Sequence, residues 1–153
     1  MPAIRTFVGF VCATAFCASL HAQTDSVIHI RLLDGKTGLP VEASNFLVRI
    51  NRHETVRNEL VRMNDDGSVV VTVPAGAQEI AIKPTYDLAM ETYINCDAAR
   101  ETGKERDIWY SISTILQTGV VAPNECSETH YTAKPGEFIF FVRKRSWRDA
   151  PQD

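Results

Sequence analysis

The chain has 153 residues, of which 44% are hydrophobic and 23% charged, and its 16 basic and 19 acidic side chains give a formal net charge of −3. This mildly acidic balance argues against a surface that binds nucleic acid or an anionic membrane. The length suits one domain with a core of its own and leaves no room for two.

The N-terminal segment has the composition of a secretory signal peptide. Arg5 is its only charged side chain, an apolar stretch covers residues 7–20, and the small residue Ala22 stands at the expected cut. A membrane anchor is the alternative, but the apolar part is shorter than the roughly 20 residues that a span needs. We therefore expect residues 1–22 to be removed, leaving a secreted or periplasmic domain of residues 23–153 with no membrane span.

The cysteines fit the same prediction. Cys12 and Cys17 leave with the leader, so the mature domain keeps Cys96 and Cys126. An isolated pair in an oxidising compartment predicts one disulfide. A redox or metal-binding pair is the alternative, but it would need CxxC-like spacing or nearby histidines, and neither is present.

The first half of the mature chain alternates short apolar runs with turn sequences. Residues 27–33 and 45–51 alternate apolar and polar side chains, which is the period of a half-buried strand. Residues 64–67 are Asn-Asp-Asp-Gly between two apolar runs, a pattern typical of a β-hairpin. Residues 78–83 predict a further strand, and this spacing of strands and turns is typical of a β-sandwich.

The second half is less regular. Residues 86–94 fit either an irregular strand or a helical turn, and residues 107–117 return to β-prone composition and predict a strand. Residues 137–144 are apolar on both faces, so this last strand should be central in its sheet. The tail should fray after about residue 147. The pattern as a whole predicts an all-β, antiparallel sandwich of about seven strands, Ig-like or transthyretin-like, with one disulfide.

Three turn motifs in the first half carry a resemblance to a known family. They are Asp34-Gly-Lys-Thr-Gly-Leu-Pro-Val-Glu-Ala43, then Asn64-Asp-Asp-Gly67, then Val73-Pro-Ala-Gly76. In this order, over about residues 27–83, they resemble the carboxypeptidase regulatory-like family, a transthyretin-like or prealbumin-like β-sandwich. That module commonly accompanies a catalytic or transport domain, or acts in adhesion and sugar binding, without catalysis of its own. The resemblance therefore implies a protein that is not an enzyme.

The side chains that catalysis or metal binding would need are scattered. His29, His53 and His130 are far apart in the sequence. Ser111 and Ser113 are predicted to lie on a strand and not at a strand-to-helix elbow, so they lack the geometry of a nucleophile. We therefore predict no catalytic residue, no metal site and no cofactor.

Aromatic side chains mark the candidate binding surface. Most of them lie in the half without the resemblance, where a carbohydrate or a peptide would need rings for stacking. The candidates are Tyr86, Tyr93, Trp109, Tyr131 and Trp147, with Tyr110 beside Trp109. A core role for most of these rings is the alternative, because a small all-β domain must fill its interior.

The sequence thus predicts a secreted, non-catalytic binding or structural module of the cell envelope. Its ligand is not identified by the sequence, and a cell-envelope polysaccharide or a protein is the expected kind of partner. Two alternatives belong to other classes. One is a small secreted hydrolase with a shallow site that uses His130 or His53, and the other is an oligomerising envelope subunit with unpaired sheet edges.

Overall fold

The structure is a computed structural model of the chain. It describes residues 24–41, 45–52, 57–64, 66–84, 86–87, 90–91, 93–97, 100–101, 104–105, 108–144 and 146. The predicted signal peptide and the predicted fraying tail after residue 147 lie outside these residues. In the described part, no helix has the length and hydropathy that crossing a membrane requires.

The described residues form mostly strands, as predicted, and one short helix. The strands are β1 Ser26–Asp34, β2 Asn45–Ile50, β3 Arg57–Arg62, β4 Ser68–Val73, β5 Glu79–Pro84, β6 Tyr86–Asp87, β7 Met90–Glu91, β8 Tyr93–Asn95, β9 Arg100–Glu101, β10 Lys104–Glu105, β11 Tyr110–Ser111, β12 Val120–Val121 and β13 Glu137–Lys144. The helix, α1, spans Ile112–Thr118.

Two larger sheets contain most of these strands. Sheet 1 has the order β12-β13-β1-β4, and β8 pairs with the far end of β13. Sheet 2 has the order β11-β5-β2-β3 and is antiparallel throughout. The pairs β6–β7 and β9–β10 are separate two-residue ladders.

Sheet 1 is a mixed sheet, which corrects the expectation of an antiparallel arrangement. β13 runs parallel to β1 on one side and to β12 on the other, so that Ile30 and Val120 both stand opposite Phe138. Neighbouring parallel strands cannot be joined by a tight turn and need a long crossover. Residues 122–136, the crossover segment, make that connection between β12 and β13.

A single apolar core lies between the two sheets. Inward side chains of both sheets and of α1 belong to the same buried cluster, so the sheets pack face to face. Its members include Ile28, Ile30, Leu32, Val69, Val71, Val73, Phe138, Phe140 and Val142 from sheet 1, Phe46, Val48, Ile50, Ile80 and Ile82 from sheet 2, and Ile112 and Ile115 from α1. The strand alternation predicted for residues 27–33 is confirmed by alternate burial along β1.

The strand β13 is central and buried on both faces, as its composition predicts. Phe138 and Phe140 enter the core between the sheets. Ile139 and Phe141 point to the opposite face of sheet 1, where they join a second buried cluster with Leu33. All four β13 side chains are at most 1% exposed, so both faces of sheet 1 are covered at this strand.

Residues 112–118 are helical, which corrects the strand predicted over residues 107–117. Only Tyr110–Ser111 pairs as a strand, with Tyr110 opposite Ile80 of β5. Ile112 and Ile115 are both buried, and their spacing of three residues places them on one face of a helix. β-propensity is strongly context-dependent, and here packing against the core decides the conformation.

The Asn-Asp-Asp-Gly turn does not join the two strands of one hairpin, contrary to the prediction. β3 pairs with β2 in sheet 2, whereas β4 pairs with β1 in sheet 1. Met63, which precedes the turn, is buried in the core between the sheets. The chain therefore crosses from one sheet to the other at this point, and burial of Met63 favours the crossing.

Gly67 in this turn provides a test of the packing between the turn and β1. Its φ is 71°, and a Cβ there would lie 2.8 Å from Pro40 Cβ and 2.9 Å from the carbonyl oxygen of Leu32. Gly136 has a φ of 81°, but a Cβ added there would meet only open space. Gly136→Ala should cost about 1 kcal/mol of unfolding free energy from backbone strain alone, and Gly67→Ala at least about 2 kcal/mol more from the added clash.

Urea unfolding of the two glycine variants, followed by circular dichroism, measures this difference. Because Gly136→Ala carries the same backbone strain without the contact, it is the matched control. Equal losses for the two variants would contradict the close approach of Gly67 to β1 and Pro40.

Candidate functional site

A disulfide fastens the crossover segment to sheet 1. Cys96 and Cys126 are bonded, with their Cα atoms 5.4 Å apart, so the predicted bridge is confirmed. Cys96 follows β8, and its N–H donates to the carbonyl oxygen of Phe141 at 3.0 Å. The Glu125 N–H donates to the Cys96 carbonyl oxygen at 2.8 Å. The bridge therefore joins a strand beside β13 to the segment that covers β13.

The face of sheet 1 beneath this segment is a second, smaller core. Leu33, Ile139, Phe141 and Cys96 are buried there, and Tyr131 of the crossover segment packs on them. The ring centroids of Tyr131 and Phe141 are 5.2 Å apart, with the planes tilted by 51°. Such tilted contacts between aromatic rings are favourable, so Tyr131 holds the segment against the sheet.

Two side chains of the crossover segment bind one carbonyl group in the turn after β1. Asn124 Nδ2 donates to the Gly35 carbonyl oxygen at 2.9 Å, and Ser127 Oγ donates to the same oxygen at 2.6 Å. A Cβ at Gly35 would collide with Cys96 Sγ and Cys126 Cβ. The turn can therefore approach the disulfide this closely only with a glycine at this position.

A groove lies between the crossover segment and the outer face of sheet 1. Its volume is about 490 Å³, within the range of about 300–1,000 Å³ that is usual for small-molecule sites. The apolar lining comes from Val121, Ala122, Pro123, Tyr131 and Phe141, and the polar lining from Asn124, Ser127, Glu128, Thr129 and His130. Glu128, Thr129 and His130 are exposed and form the outer rim.

The hydroxyl of Ser127 is engaged in holding the segment together. Its proton goes to the Gly35 carbonyl oxygen, so the 2.7 Å contact with Thr129 Oγ1 has Thr129 as donor. Asn124 Nδ2 also donates to Ser127 Oγ, at 3.1 Å. A hydroxyl that is committed to these bonds could attack a substrate only if the segment rearranged.

The three histidines predicted to be scattered occupy different places. His130 lies on the groove rim, His29 is exposed on β1, and His53 lies outside the described residues. Within the part of the chain that the structure describes, no group of three or more His, Cys, Asp or Glu side chains could hold a metal ion.

Ser111 is the last residue of β11, as predicted, but it directly precedes α1, contrary to the prediction that it is not at a strand-to-helix junction. The strand predicted for Ser113 is wrong, because Ser113 lies in α1. Ser111 stands at the junction of β11 and α1, where its Oγ accepts from the Thr114 N–H at 3.4 Å and so caps the helix. Ser113 lies in the first turn of α1, and the two hydroxyls are 2.9 Å apart. The capping role explains the serine at position 111.

The aromatic candidates do not form one surface among the described residues. Tyr131 lines the groove, whereas Tyr93 packs against the core between the sheets. Trp109 lies with Arg49 and Arg52, whose Cζ atoms are 5.7 and 5.5 Å from its ring centroid. The Tyr86 side chain and all of Trp147 lie outside the described residues.

Tyr110 is a core residue with a polar contact. Its ring centroid is 4.7 Å from that of Phe138, and its hydroxyl donates to Asp97 Oδ2 at 3.3 Å. Burial, followed by the negative charge of Asp97, raises the pKa of Tyr110 well above the ordinary value of 10.0. Asp97 itself is only 6% exposed, so this pair tethers the chain after Cys96 to the core.

Sequence reasoning missed the polar residues of the groove. Asn124, Ser127 and Thr129 belong to no motif. The roles of Asn124 and Ser127 follow from contacts with Gly35, which is distant in the sequence, and the role of Thr129 follows from its contact with Ser127. The signal that could have found them is the long polar stretch around Cys126 between two apolar runs. Such a stretch, fixed by a disulfide, predicts an ordered loop.

Comparisons with models of known protein families, with curated protein sequences and with solved protein structures found no match to this chain.

The Tyr110–Asp97 contact leads to a prediction about pH and stability. Because the folded-state pKa of Tyr110 is raised, its contribution is complete below about pH 10 and is lost as the pH rises through the folded pKa. Tyr110→Phe should lower the unfolding free energy by about 1–3 kcal/mol near neutral pH, because Asp97 loses a hydrogen-bond donor. It should also remove a late-ionising phenol, one that ionises above its ordinary range, from an alkaline titration followed by tyrosinate absorbance.

Tyr131→Phe is the matched control, since it removes a phenol hydroxyl from the other face of sheet 1. If the late-ionising phenol persists in Tyr110→Phe, the assignment to Tyr110 is wrong.

The disulfide leads to a second prediction. Its sequence separation is 30 residues, and closing such a loop stabilises a fold by about 3–4 kcal/mol in the chain-entropy model. The double variant Cys96→Ala/Cys126→Ala should lose about this much in urea unfolding. The Glu125 amide, which donates to Cys96, should exchange with solvent faster, as hydrogen exchange measured by NMR would show.

Reductant should destabilise the natural protein to a similar extent and leave the double variant unchanged. Equal unfolding midpoints for the natural protein and the double variant would show that the bridge does not hold the crossover segment.

Proposed function

We propose that this protein is an exported, non-catalytic binding module of the cell envelope, and that the groove over β13 is its binding site. The proposal includes removal of residues 1–22 and a single mature domain of residues 23–153. The disulfide supports export, because such bonds persist in oxidising compartments. A transthyretin-like or Ig-like sandwich, related to the carboxypeptidase regulatory-like family, is the fold type that we propose for the two facing sheets.

The turn motif of residues 34–40 supports this fold type. Asp34 Oδ1 accepts from the Thr37 N–H at 2.8 Å and from the Lys36 N–H at 3.1 Å, which closes the turn. Gly38 has a φ of 71°, a conformation that glycine adopts readily. The residues that carry the resemblance therefore have the local roles that the motif would require.

The observation that carries the proposal is that some groove residues hold the walls in place while others are exposed on the rim. Asn124 and Ser127 bind Gly35, and Tyr131 packs on Phe141, so these groups hold the walls. The exposed rim residues Glu128 and His130 are left to meet a ligand. Groove walls that are already ordered before binding lose less conformational entropy when a ligand associates.

The lining favours a saccharide as the ligand. Sugars present hydroxyl groups and apolar C–H faces, and this groove combines amide and hydroxyl groups with the apolar surface of Pro123 and Tyr131. The lining contains one acidic residue, Glu128, and no Lys or Arg. A neutral polysaccharide segment from the cell envelope therefore fits better than an anionic one.

His130 on the rim is the observation that favours the hydrolase as a second candidate. A hydrolase would need a nucleophile or a water activated beside that imidazole. The nearest serine by sequence, Ser127, gives its proton to the Gly35 carbonyl oxygen instead. The binding module is therefore the better supported of the two functions.

Titration with a soluble N-acetylglucosamine oligosaccharide tests the proposal, using protein expressed from the full chain. We expect amide shift changes in NMR spectra that cluster at residues 121–131. His130→Ala should weaken binding about tenfold in calorimetry, since one lost hydrogen bond to a ligand is worth about 1–1.5 kcal/mol. His29→Ala is the matched control, because His29 is equally an exposed histidine but lies on β1 outside the groove.

Two results would count against the proposal. The first is the absence of shift changes at residues 121–131 with neutral oligosaccharides of any linkage tried. The second is the release of reducing ends during incubation, abolished by His130→Ala, which would establish the hydrolase instead.

A further inference from the structure

Each of the two larger sheets has one edge made of short strands, β12 and β8 in sheet 1 and β11 in sheet 2. Its other edge is a six-residue strand that has a partner on one side only among the described residues. In sheet 1 this strand is β4, paired with β1, and in sheet 2 it is β3, paired with β2. Free edges offer backbone donors and acceptors to any other strand, and most proteins protect them with charged side chains or prolines. These two six-residue edge strands differ in that protection.

The strand β3 has a protected edge and β4 does not. The sequence of β3, Arg-Asn-Glu-Leu-Val-Arg, contains three charged residues in six positions. The sequence of β4, Ser-Val-Val-Val-Thr-Val, contains no charge and no proline. The edge of β4 is therefore the one that is suited to pairing with a further strand.

The backbone groups that face this free edge can be identified from bonds in β1. The His29 N–H donates to Gly136 beside β13, whereas the Leu32 N–H donates to Gly67 on the β4 side. The backbone N–H and C=O groups of successive residues point to opposite sides of a strand, so those of Ile28 and Ile30 also point towards β4. Their partners Val71 and Val69 therefore point their N–H and C=O groups at β1.

It follows that Val70 and Thr72 point their N–H and C=O groups away from β1, towards the free edge. Ser68 faces the same way, but its carbonyl oxygen accepts from the Asn64 N–H at 2.9 Å and its N–H donates to Asp66. The available edge is thus two residues long, with two donors and two acceptors.

The side chains beside this edge are unusually apolar for a surface. Three large apolar side chains are exposed among the described residues, and two of them are Val70 at 53% and Val27 at 47%. Val27 stands opposite Thr72 in the β1–β4 ladder, so both valines lie on the same face of sheet 1. This small apolar patch adjoins the edge that has free backbone groups.

We propose that β4 is a dimerisation edge, where two copies of this chain pair their β4 strands antiparallel about a two-fold axis at Val71. In that register Val70 of each copy stands opposite Thr72 of the other. The pair exchanges backbone hydrogen bonds in both directions, so all four free groups of each edge are satisfied. Because β4 contains no charged residue, no charges of the two β4 strands oppose one another. Sheet 1 of one copy and sheet 1 of the other then form one continuous sheet.

A second copy is the favoured occupant because the edge is complementary to itself. Val70 and Thr72 are placed symmetrically about Val71, as an isologous interface requires. Val70 of each copy then lies beside the axis on the same face of the joined sheet, whereas Val27 stays one strand further from the other copy. An unrelated peptide would gain the hydrogen bonds but would have no reason to match this symmetry.

Sedimentation equilibrium of the protein expressed from the full chain, over a wide range of concentration, tests the proposal. We expect a reversible monomer–dimer equilibrium. Val70→Lys places like charges near the axis and should raise the dimer dissociation constant at least tenfold. Val27→Lys is the matched control, since it adds the same charge to the same face on β1, whose backbone is already paired on both sides, and it should change the constant less than threefold.

Two further measurements keep the test informative if Val70→Lys does not fold. Thr72→Pro removes an edge N–H but no bond to β1, and it should also raise the dissociation constant at least tenfold. Amide exchange at Val70 and Thr72 should slow as protein concentration increases. A protein that stays monomeric at high concentration, a dimer that these variants leave intact, or equal effects of Val27→Lys and Val70→Lys would overturn the proposal.

Discussion

The burial of β13 on both faces is the constraint on which the rest of the structure depends. Phe138 and Phe140 need a cover on one side of sheet 1, and Ile139 and Phe141 need one on the other. Sheet 2 provides the first cover. The crossover segment provides the second cover, and the disulfide and the Tyr131–Phe141 contact hold it in place. The groove is the space left where this irregular cover meets a flat strand surface.

The turn of residues 34–40, in the first half of the chain, makes close contacts with the crossover segment in the second half. Its Gly35 carbonyl oxygen accepts from both Asn124 and Ser127, and Gly38 lies so close to the Tyr131 hydroxyl that a Cβ would collide with it. The glycines thus allow close approach of two segments that are distant in sequence. The crossover segment in the second half of the chain is therefore packed onto the turn that follows β1.

The features that could be predicted from the sequence are those set by local pattern and by the number of cysteines. Alternation predicts β1, a continuous apolar run predicts the central position of β13, and an isolated cysteine pair predicts the disulfide. The parallel pairing of β13 could not be predicted, because strand direction depends on partners far apart in the chain. The local pattern at Asn64–Gly67 predicts a turn but not which sheet each flanking strand joins, since burial of Met63 decides that. The roles of Asn124 and Ser127 depend on Gly35 in the same way.

The placement of shifted pKa values bears on the choice between binding and catalysis. Catalytic sites tend to concentrate groups with perturbed pKa values in a cleft. Here hydrogen bonds from Ser68 lower the pKa of Asp66 in an exposed turn, and burial raises the pKa of Tyr110 in the core. Both shifts have structural causes, and neither group lines the groove. The groove instead has two polar side chains already bonded to the backbone, an apolar floor and an exposed rim. The proposal of a binding function rests on this arrangement.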